Sequence, residues 1–163
     1  MGNLSVVVDK LPDALETYQR FCYFENTMTG DLTVKGGNLE LKAGVTFPNV
    51  KNVNISGGRL YMQGVTNALP SLAKMTVSGG TFQCDANCVN PISDGLADMH
   101  LSGEGVLKFG NGITNTVRKL YVNGEYMPAG TYTKANLPAM EPSGDTGALV
   151  VLRGRAGAFM IVR

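Results

Sequence analysis

The chain is organised by a phrase that first reads Asp31-Leu-Thr-Val-Lys-Gly-Gly-Asn-Leu-Glu-Leu41. It returns as Asn52-Val-Asn-Ile-Ser-Gly-Gly-Arg-Leu-Tyr-Met62, as Lys74-Met-Thr-Val-Ser-Gly-Gly-Thr-Phe-Gln-Cys84 and, with one residue inserted, as Asp98-Met-His-Leu-Ser-Gly-Glu-Gly-Val-Leu-Lys-Phe109. A degraded fifth copy reads Lys119-Leu-Tyr-Val-Asn-Gly-Glu-Tyr-Met127. The leading glycines are 21, 22, 24 and 21 residues apart. A nearly fixed period in this range is typical of stacked repeat architectures.

Each copy contains two short stretches in which apolar residues alternate with polar ones. Alternation with a period of two predicts strands that bury one face. A Gly-Gly pair between two strands fits either a hairpin or the corner of a coil. Only the coil explains why the same apolar columns recur in every copy. The phrases Phe47-Pro-Asn-Val50 and Leu69-Pro-Ser-Leu72 predict a shared third side. The repeat therefore predicts one all-β domain, a parallel β-solenoid of about five coils.

The two ends depart from the repeat, as the ends of a solenoid must, because an uncovered terminal coil exposes its core. We expect an N-terminal cap over residues 1–27, coils over 28–127, and a loop with a C-terminal cap over 128–163. Leu4 to Val8 predicts a strand, and Leu11 to Phe24 has the spacing of a short capping helix, although an irregular strand also fits. Ala148–Leu152 and Ala158–Val162 are expected to pair as hairpin-like strands.

The charge and composition exclude several classes of partner. The net charge is +1, with Lys and Arg scattered along the chain, so nothing favours nucleic acid. No apolar stretch approaches the 18 residues of a membrane span, so we expect no membrane insertion. Twenty-one glycines without any tryptophan fit a protein of short strands and many turns.

The segment that follows the fourth copy carries a resemblance to a known family. It runs from Val117 through Leu-Tyr-Val-Asn-Gly and Gly-Thr-Tyr-Thr to Pro138 and continues with Thr146-Gly-Ala-Leu-Val-Val151. It resembles the closing segment of bacterial secreted proteins with autotransporter-associated β-strand repeats or pectin-lyase-like β-helices. The resemblance implies a right-handed β-helix, an extracellular or cell-surface location, and neighbouring domains in a larger parent protein that acts on or binds polysaccharide. It supplies no catalytic residues.

Because the inward columns are apolar, candidate functional residues lie on the outward columns and on the segment after the last copy. The non-functional interpretation is that these columns form an ordinary solvated face. The functional alternative is a ladder of hydrogen-bonding side chains with tyrosines as stacking platforms, which suits an extended sugar chain. For the segment after the last copy, the bland interpretation is a loop packed against the last coil. The predicted ligand-binding residues are Tyr61, His100, Tyr121, Tyr126 and Tyr132.

A catalytic function finds little support in the residues. His100 is the single histidine, and Asp98 lies two residues away on the same face, so a pairing is conceivable. Glycoside hydrolysis needs two carboxylates across a cleft, but the available ones lie in different coils and columns. The phrases also lack the clustered aspartates with which lyases of this fold bind calcium. We therefore expect no catalytic residues and no enzyme activity.

The segment from Cys84 to Asp94 is the richest local source of metal ligands. Asp85, Asn87, Asn90 and Asp94 could hold Ca²⁺, although the same residue types are ordinary in turns. Cys84 and Cys88 could close a small disulfide loop in an oxidising compartment, or Cys84 could simply fill the apolar column of Leu41 and Met62. Cys22 is expected to be a buried free thiol. We predict no obligatory cofactor.

Three hypotheses about function follow from these observations. The first is a non-catalytic carbohydrate-binding module of a secreted or surface protein, whose partners are a polysaccharide or glycan and the neighbouring domains. The second is a structural stalk or spacer of an adhesin or autotransporter-like protein. The third and weakest is a small polysaccharide lyase or hydrolase.

Overall fold

The computed structural model describes residues 6–8, 18–21, 29–85, 87–141 and 147–154, the first two ranges as backbone strands only. No helix occurs among these residues. In chain order, the strands are β1 Val6–Val8, β2 Tyr18–Phe21, β3 Gly30–Val34, β4 Asn38–Lys42, β5 Val50–Ile55, β6 Arg59–Gln63, β7 Lys74–Val77, β8 Thr81–Cys84, β9 Asp98–Leu101, β10 Val106–Phe109, β11 Thr114–Val117, β12 Lys119–Val122, β13 Glu125–Tyr126, β14 Gly130–Tyr132 and β15 Ala148–Val151.

The copies of the phrase stack in the register that the repeat predicts. The first strands of the copies form one sheet, in the order β1-β3-β5-β7-β9-β12-β13, and the second strands form another, in the order β10-β8-β6-β4-β2. Each pair from one copy to the next is parallel, with Leu32 beside Val53 and Leu39 beside Leu60. The parallel β-solenoid is therefore confirmed, with about four turns. It has fewer than the predicted five because the fifth copy supplies β12 and then reverses into the antiparallel β13.

The third side of the coil is irregular but shared between turns. Thr66 pairs with Val89 and Leu69 with Ile92 as isolated parallel bridges. The predicted equivalence of the two Pro-containing phrases is confirmed, because Phe47 and Leu69 are both buried and the Phe47 amide donates to the Ala68 carbonyl, 2.8 Å away. The three sides enclose one continuous apolar core. Within it, the rings of Phe82 and Phe109 make an edge-to-face contact.

The glycine corners allow the turns to stack closely. A Cβ at Gly57 would collide with the backbone carbonyl of Lys35 one turn below, and one at Gly79 would lie 2.6 Å from the Ser56 carbonyl oxygen. Gly58 also has a positive φ of 66°, a conformation that side chains rarely allow. The Gly-Gly pair is therefore the device that turns the chain from the first sheet into the second.

The two ends of the chain match the sequence expectations in part. Tyr18–Phe21, inside the segment for which a capping helix or an irregular strand was expected, is strand β2, because the edge strand β4 gains a parallel partner there. The remainder of that segment lies outside the described residues. Ala148–Val151 is a strand as predicted, but it pairs with β11 and β14 in a third sheet. Its predicted partner, Ala158–Val162, lies outside the described residues, as does Cys22. Val6–Val8 confirms the predicted first strand.

Candidate functional site

The outward face of the first sheet consists of two columns of side chains. Successive turns place each residue directly beside its counterpart, while the intervening residues point into the core. One column is mostly charged and the other changes from small polar residues to aromatic ones toward the C-terminal end. The first column contains Asp31, Asn52, Lys74, Asp98 and Lys119, and the second contains Thr33, Asn54, Thr76, His100 and Tyr121.

Three aromatic rings, which we call the aromatic stack, end the second column. The ring centroids of His100 and Tyr121 are 4.4 Å apart with planes 11° from parallel, and those of Tyr121 and Tyr126 are 5.2 Å apart at 24°. Parallel pairing of β9 with β12 places the first two rings side by side, and the antiparallel hairpin to β13 brings Tyr126 opposite Tyr121. The structure thus brings together three of the five predicted binding residues.

The stacking changes what Tyr121 can do. Both faces of its ring are covered, one by His100 and the other by Tyr126, so the predicted stacking platform at Tyr121 is not open to a sugar ring. Tyr126 is the outer member of the stack and is only half-buried, and the Lys119 ammonium lies 5.6 Å from its ring centroid. His100 and Tyr121 are half-buried as well, so part of each of the three residues stays accessible to a ligand, with Tyr126 at the outer end.

The conceivable pairing of His100 with Asp98 is not the contact that the structure shows. The Asp98 carboxylate accepts two hydrogen bonds from Arg118, from Nε at 2.7 Å and from the second terminal nitrogen at 2.9 Å. These bonds hold the pKa of Asp98 below its ordinary value. Burial and the nearby Lys74 lower the pKa of His100, against a small opposing effect of Asp98. The imidazole of His100 is therefore harder to protonate than that of a free histidine.

A polar cavity opens on the same side of the molecule, near the start of the first sheet. It has a volume of about 430 Å³, and within its wall the Asn52 amide donates to the Asp31 carboxylate at 2.8 Å. The repeat carries a signal for it, since Asn49 and Ser71 occupy the same position in the two Pro-containing phrases and line the same cavity. The lining residues are Thr29, Gly30, Asp31, Asn49, Lys51, Asn52 and Ser71.

Tyr61 lies apart from the aromatic stack, on the outward face of the second sheet. It stands between Glu40 and Gln83 in the register of β4, β6 and β8. The Arg59 guanidinium carbon lies 5.3 Å from the Tyr61 ring centroid, and burial raises the pKa of the phenol. One short ligand cannot contact this tyrosine and the aromatic stack together, because they stand on different sheets.

Tyr132 is not an exposed residue of a protruding loop. Its side chain is only 8% exposed, packs into the core, and donates from Oη to the Pro128 carbonyl at 2.8 Å. The bland interpretation of packing against the last coil is the one that the structure shows. The reason is that the terminal strands need partners: β14 pairs with β15, and Leu107 of β10 pairs with Met140.

The segment from Cys84 to Asp94, whose oxygen ligands could hold Ca²⁺, uses Asp85 to accept hydrogen bonds from backbone amides. One carboxylate oxygen of Asp85 accepts hydrogen bonds from the Gly64 and Asn87 amides, both at 3.1 Å. Asn90 takes a positive φ of 42°, as turn residues of its type do. Within the described ranges, no three His, Cys, Asp or Glu side chains gather as a metal site. Cys84 and Cys88 are free thiols in the structure.

A second cavity, which the sequence analysis missed, lies where the repeat is interrupted. It has a volume of about 480 Å³ and opens above the glycine corner of the fourth copy, between Ser102 and Val106. Leu137, Pro138 and Ala139 form its opposite wall. The signal for it was the degraded fifth copy, which supplies no second strand to cover this corner.

No protein-family model, curated protein or solved structure matches this chain. The β-solenoid arrangement itself is shown by the strand pairing alone. In the part of the chain that the structure describes, no helix has the length and apolar character needed to cross a membrane.

Proposed function

We propose that this chain is a non-catalytic β-solenoid module that binds an extended glycan along the outward face of its first sheet. The observation that carries the proposal is the continuity of this face. The polar cavity lies at one end of it and the aromatic stack at the other, with the columns of hydrogen-bonding side chains between them. An elongated ligand can therefore contact both ends at once.

The spacing of the strands supports a chain-like ligand. Neighbouring parallel strands lie about 4.8 Å apart, a distance comparable to the length of one sugar ring. A glycan that runs across the strands would meet one side chain of each column per turn. Asn54, Thr76 and Asn52 offer donors and acceptors for hydroxyl groups, and Tyr126 offers an apolar surface for the carbon face of a sugar.

The wider setting is part of the same proposal. The resemblance of the closing segment to bacterial autotransporter-associated and pectin-lyase-like β-helical proteins supports an extracellular or cell-surface location beside other domains of a larger parent protein. The absence of enzymatic activity is supported by the engagement of Asp98 with Arg118 and by the packing of His100 against Tyr121.

A second candidate, a structural spacer without a ligand, is favoured by one specific observation. Each face of the Tyr121 ring already contacts another ring of the protein, so the centre of the aromatic stack needs no ligand to cover it. Under this hypothesis the stack serves to fasten the terminal hairpin to the sheet. A binding measurement with position-specific variants separates the two candidates.

The test is affinity electrophoresis through gels that contain neutral and acidic polysaccharides of plant, algal and host origin. We expect retardation by at least one polymer, and we expect Tyr126→Ala and Asn52→Ala each to weaken it about tenfold, since loss of a stacking or hydrogen-bonding contact at a binding site costs about 1.4 kcal/mol. Gln63→Ala, on the second sheet, is the matched control and should bind like the wild type.

The outcomes of this experiment differ clearly between the candidates. No retardation by any polymer would overturn glycan binding and leave the spacer. Loss of binding in Tyr61→Ala, with Tyr126→Ala unaffected, would move the site to the second sheet and contradict the first-sheet proposal. Circular dichroism of each variant verifies that the fold is retained.

A further inference from the structure

The two thiols Cys84 and Cys88 lie together in the core and have no part in the proposed binding face. Cys84 occupies the inward column of β8 beside Met62, and its side chain is fully buried. Cys88 follows a turn in which its amide donates to the Asp85 carbonyl at 3.3 Å, and this turn brings the chain back toward the end of β8. Cys88 is also buried, at 6% exposure.

The Cys88 sulfur lies within hydrogen-bonding distance of two oxygen atoms that share its single thiol proton. Its thiol lies 3.1 Å from the Met62 carbonyl oxygen and 3.3 Å from Asp85 Oδ1. Met62 is the residue directly beside Cys84 in the stack, so the Cys88 sulfur is held against the rung that carries Cys84. The Met62 carbonyl oxygen also accepts a hydrogen bond at 3.0 Å from the amide of Asp85, the residue that follows Cys84, so one oxygen holds the Cys88 sulfur close to the end of β8.

From this geometry we propose that Cys84 and Cys88 are an oxidation site, which closes to an intramolecular disulfide on exposure to a peroxide. The proposal is independent of glycan binding. Among the described residues no other cysteine lies near either thiol. The loop that would be closed is short and lies at the edge of the third side, where the solenoid has no continuous sheet to disturb.

The reaction balances with hydrogen peroxide as the oxidant. The Cys88 thiolate attacks one peroxide oxygen, the O–O bond breaks, and the leaving hydroxide takes up a proton as water, which leaves a sulfenic acid on Cys88. The Cys84 sulfur then attacks the Cys88 sulfur, the S–O bond breaks, and the departing hydroxide takes the Cys84 proton as a second water. The two thiols lose two electrons in total and the peroxide gains them.

The environments of the two thiols assign these roles. A hydrogen bond from the Cys84 thiol lowers the pKa of Cys88 against the opposing effects of burial and of the Asp85 carboxylate, whereas complete burial raises the pKa of Cys84 well above its usual range, so Cys88 is the more readily ionised of the two thiols. The structure also tolerates the loss of the Cys88 thiol proton. The Met62 carbonyl, which accepts that proton, also accepts the Asp85 amide at 3.0 Å and stays satisfied after oxidation.

The test uses the whole chain, folded, with and without stoichiometric hydrogen peroxide, followed by unfolding in iodoacetamide, trypsin digestion and mass spectrometry. Both thiols fall in one tryptic peptide, residues 75–108. We expect this peptide to be unalkylated after oxidation and lighter by two hydrogen atoms than the dithiol form, and doubly alkylated before oxidation. Cys88→Ser is the matched variant and should leave Cys84 alkylated after the same treatment.

Three results would overturn the proposal. Double alkylation of residues 75–108 after peroxide would show that the bond does not form, and cross-linking of this peptide to residues 21–35 would show that Cys22 is the true partner. A lower Tm of the oxidised protein would show that the native geometry does not accommodate the bond. We expect instead a Tm increase of roughly 4–8 °C, from the shorter accessible chain in the unfolded state. If Cys88→Ser folds poorly, Cys22→Ala serves in the same assay, because Cys84 and Cys88 are then the only cysteines in the chain and must form any intramolecular disulfide.

Discussion

The repeated turns and the C-terminal end of the molecule cover their apolar side chains in different ways. In the turns, each residue packs on its counterpart one copy away, so that Leu39, Leu60 and Phe82 form one column. At the C-terminal end no further copy follows. There the chain reverses, and β13 and β14 pair antiparallel with β12 and β15. The turns are therefore stabilised by contacts between equivalent residues of successive copies. The end is stabilised by individual contacts such as the hydrogen bond from Tyr132 to Pro128.

The largest expected difference comes from removing one large side chain from the column. Phe82→Ala should cost about 3–5 kcal/mol of unfolding free energy, because Phe82 is fully buried and its removal leaves a cavity against Phe109. Tyr132→Phe at the end should cost about 1 kcal/mol, since it removes only the hydrogen bond to Pro128. Urea unfolding of both variants measures this, and equal costs would contradict the comparison.

A pair of glycine substitutions tests the corners. Gly57→Ala should cost about 3 kcal/mol, because the new methyl group meets the Lys35 backbone, which cannot move without shifting the turn below. Gly124→Ala, in the hairpin between β12 and β13, should cost only about 1 kcal/mol. Nothing lies within 4 Å of its Cβ position, and the cost there arises from its φ of 84°. A larger loss at Gly124 in thermal unfolding would show that the end tolerates less change than the turns.

Tyr126→Ala probes how firmly the end is fastened. The variant loses the stacking contact with Tyr121, so the unfolding free energy should fall by about 1 kcal/mol. Hydrogen exchange at the Met127 amide, which donates to the Leu120 carbonyl, should accelerate, while exchange at Ser78 in the turns stays unchanged. Unaltered exchange at Met127 would mean that the stack does not hold the hairpin.

The smallest effect concerns pH. The folded protein holds the pKa of His100 below its ordinary value of about 6.5, so the unfolded chain binds the proton more tightly. Stability is therefore lost as the pH falls through 6.5 and the loss is complete below the lowered pKa. Lys74 strengthens this trend and Asp98 opposes it. Between pH 7 and pH 5, His100→Gln should lose less stability than the wild type, and an identical slope in both would contradict the assignment.

The sequence predicted the elements that depend on periodicity and missed those that depend on side-chain direction. The alignment of Leu32 with Val53, and of the two Pro-containing phrases, follows from repetition and is confirmed by the register. The mutual stacking of His100, Tyr121 and Tyr126 depends on ring orientation and on the hairpin reversal, which repetition does not encode. The burial of Tyr132 likewise depends on the pairing of β14 with β15. These strands lie outside the repeat, so its periodicity does not predict that pairing.

The unequal spacing of the copies has a consequence for how such a chain can change in length. In the first three copies, Leu32 and Leu39, Val53 and Leu60, and Met75 and Phe82 are each seven residues apart, so the two sheets and their corner keep a constant length there, whereas the fourth copy has one extra residue at its corner. The period nevertheless varies between 21 and 24, and the surplus falls on the irregular third side. This side can therefore accept inserted segments without shifting any column, which makes the stretch between Cys84 and Asp98 a natural place to graft a foreign loop onto the scaffold.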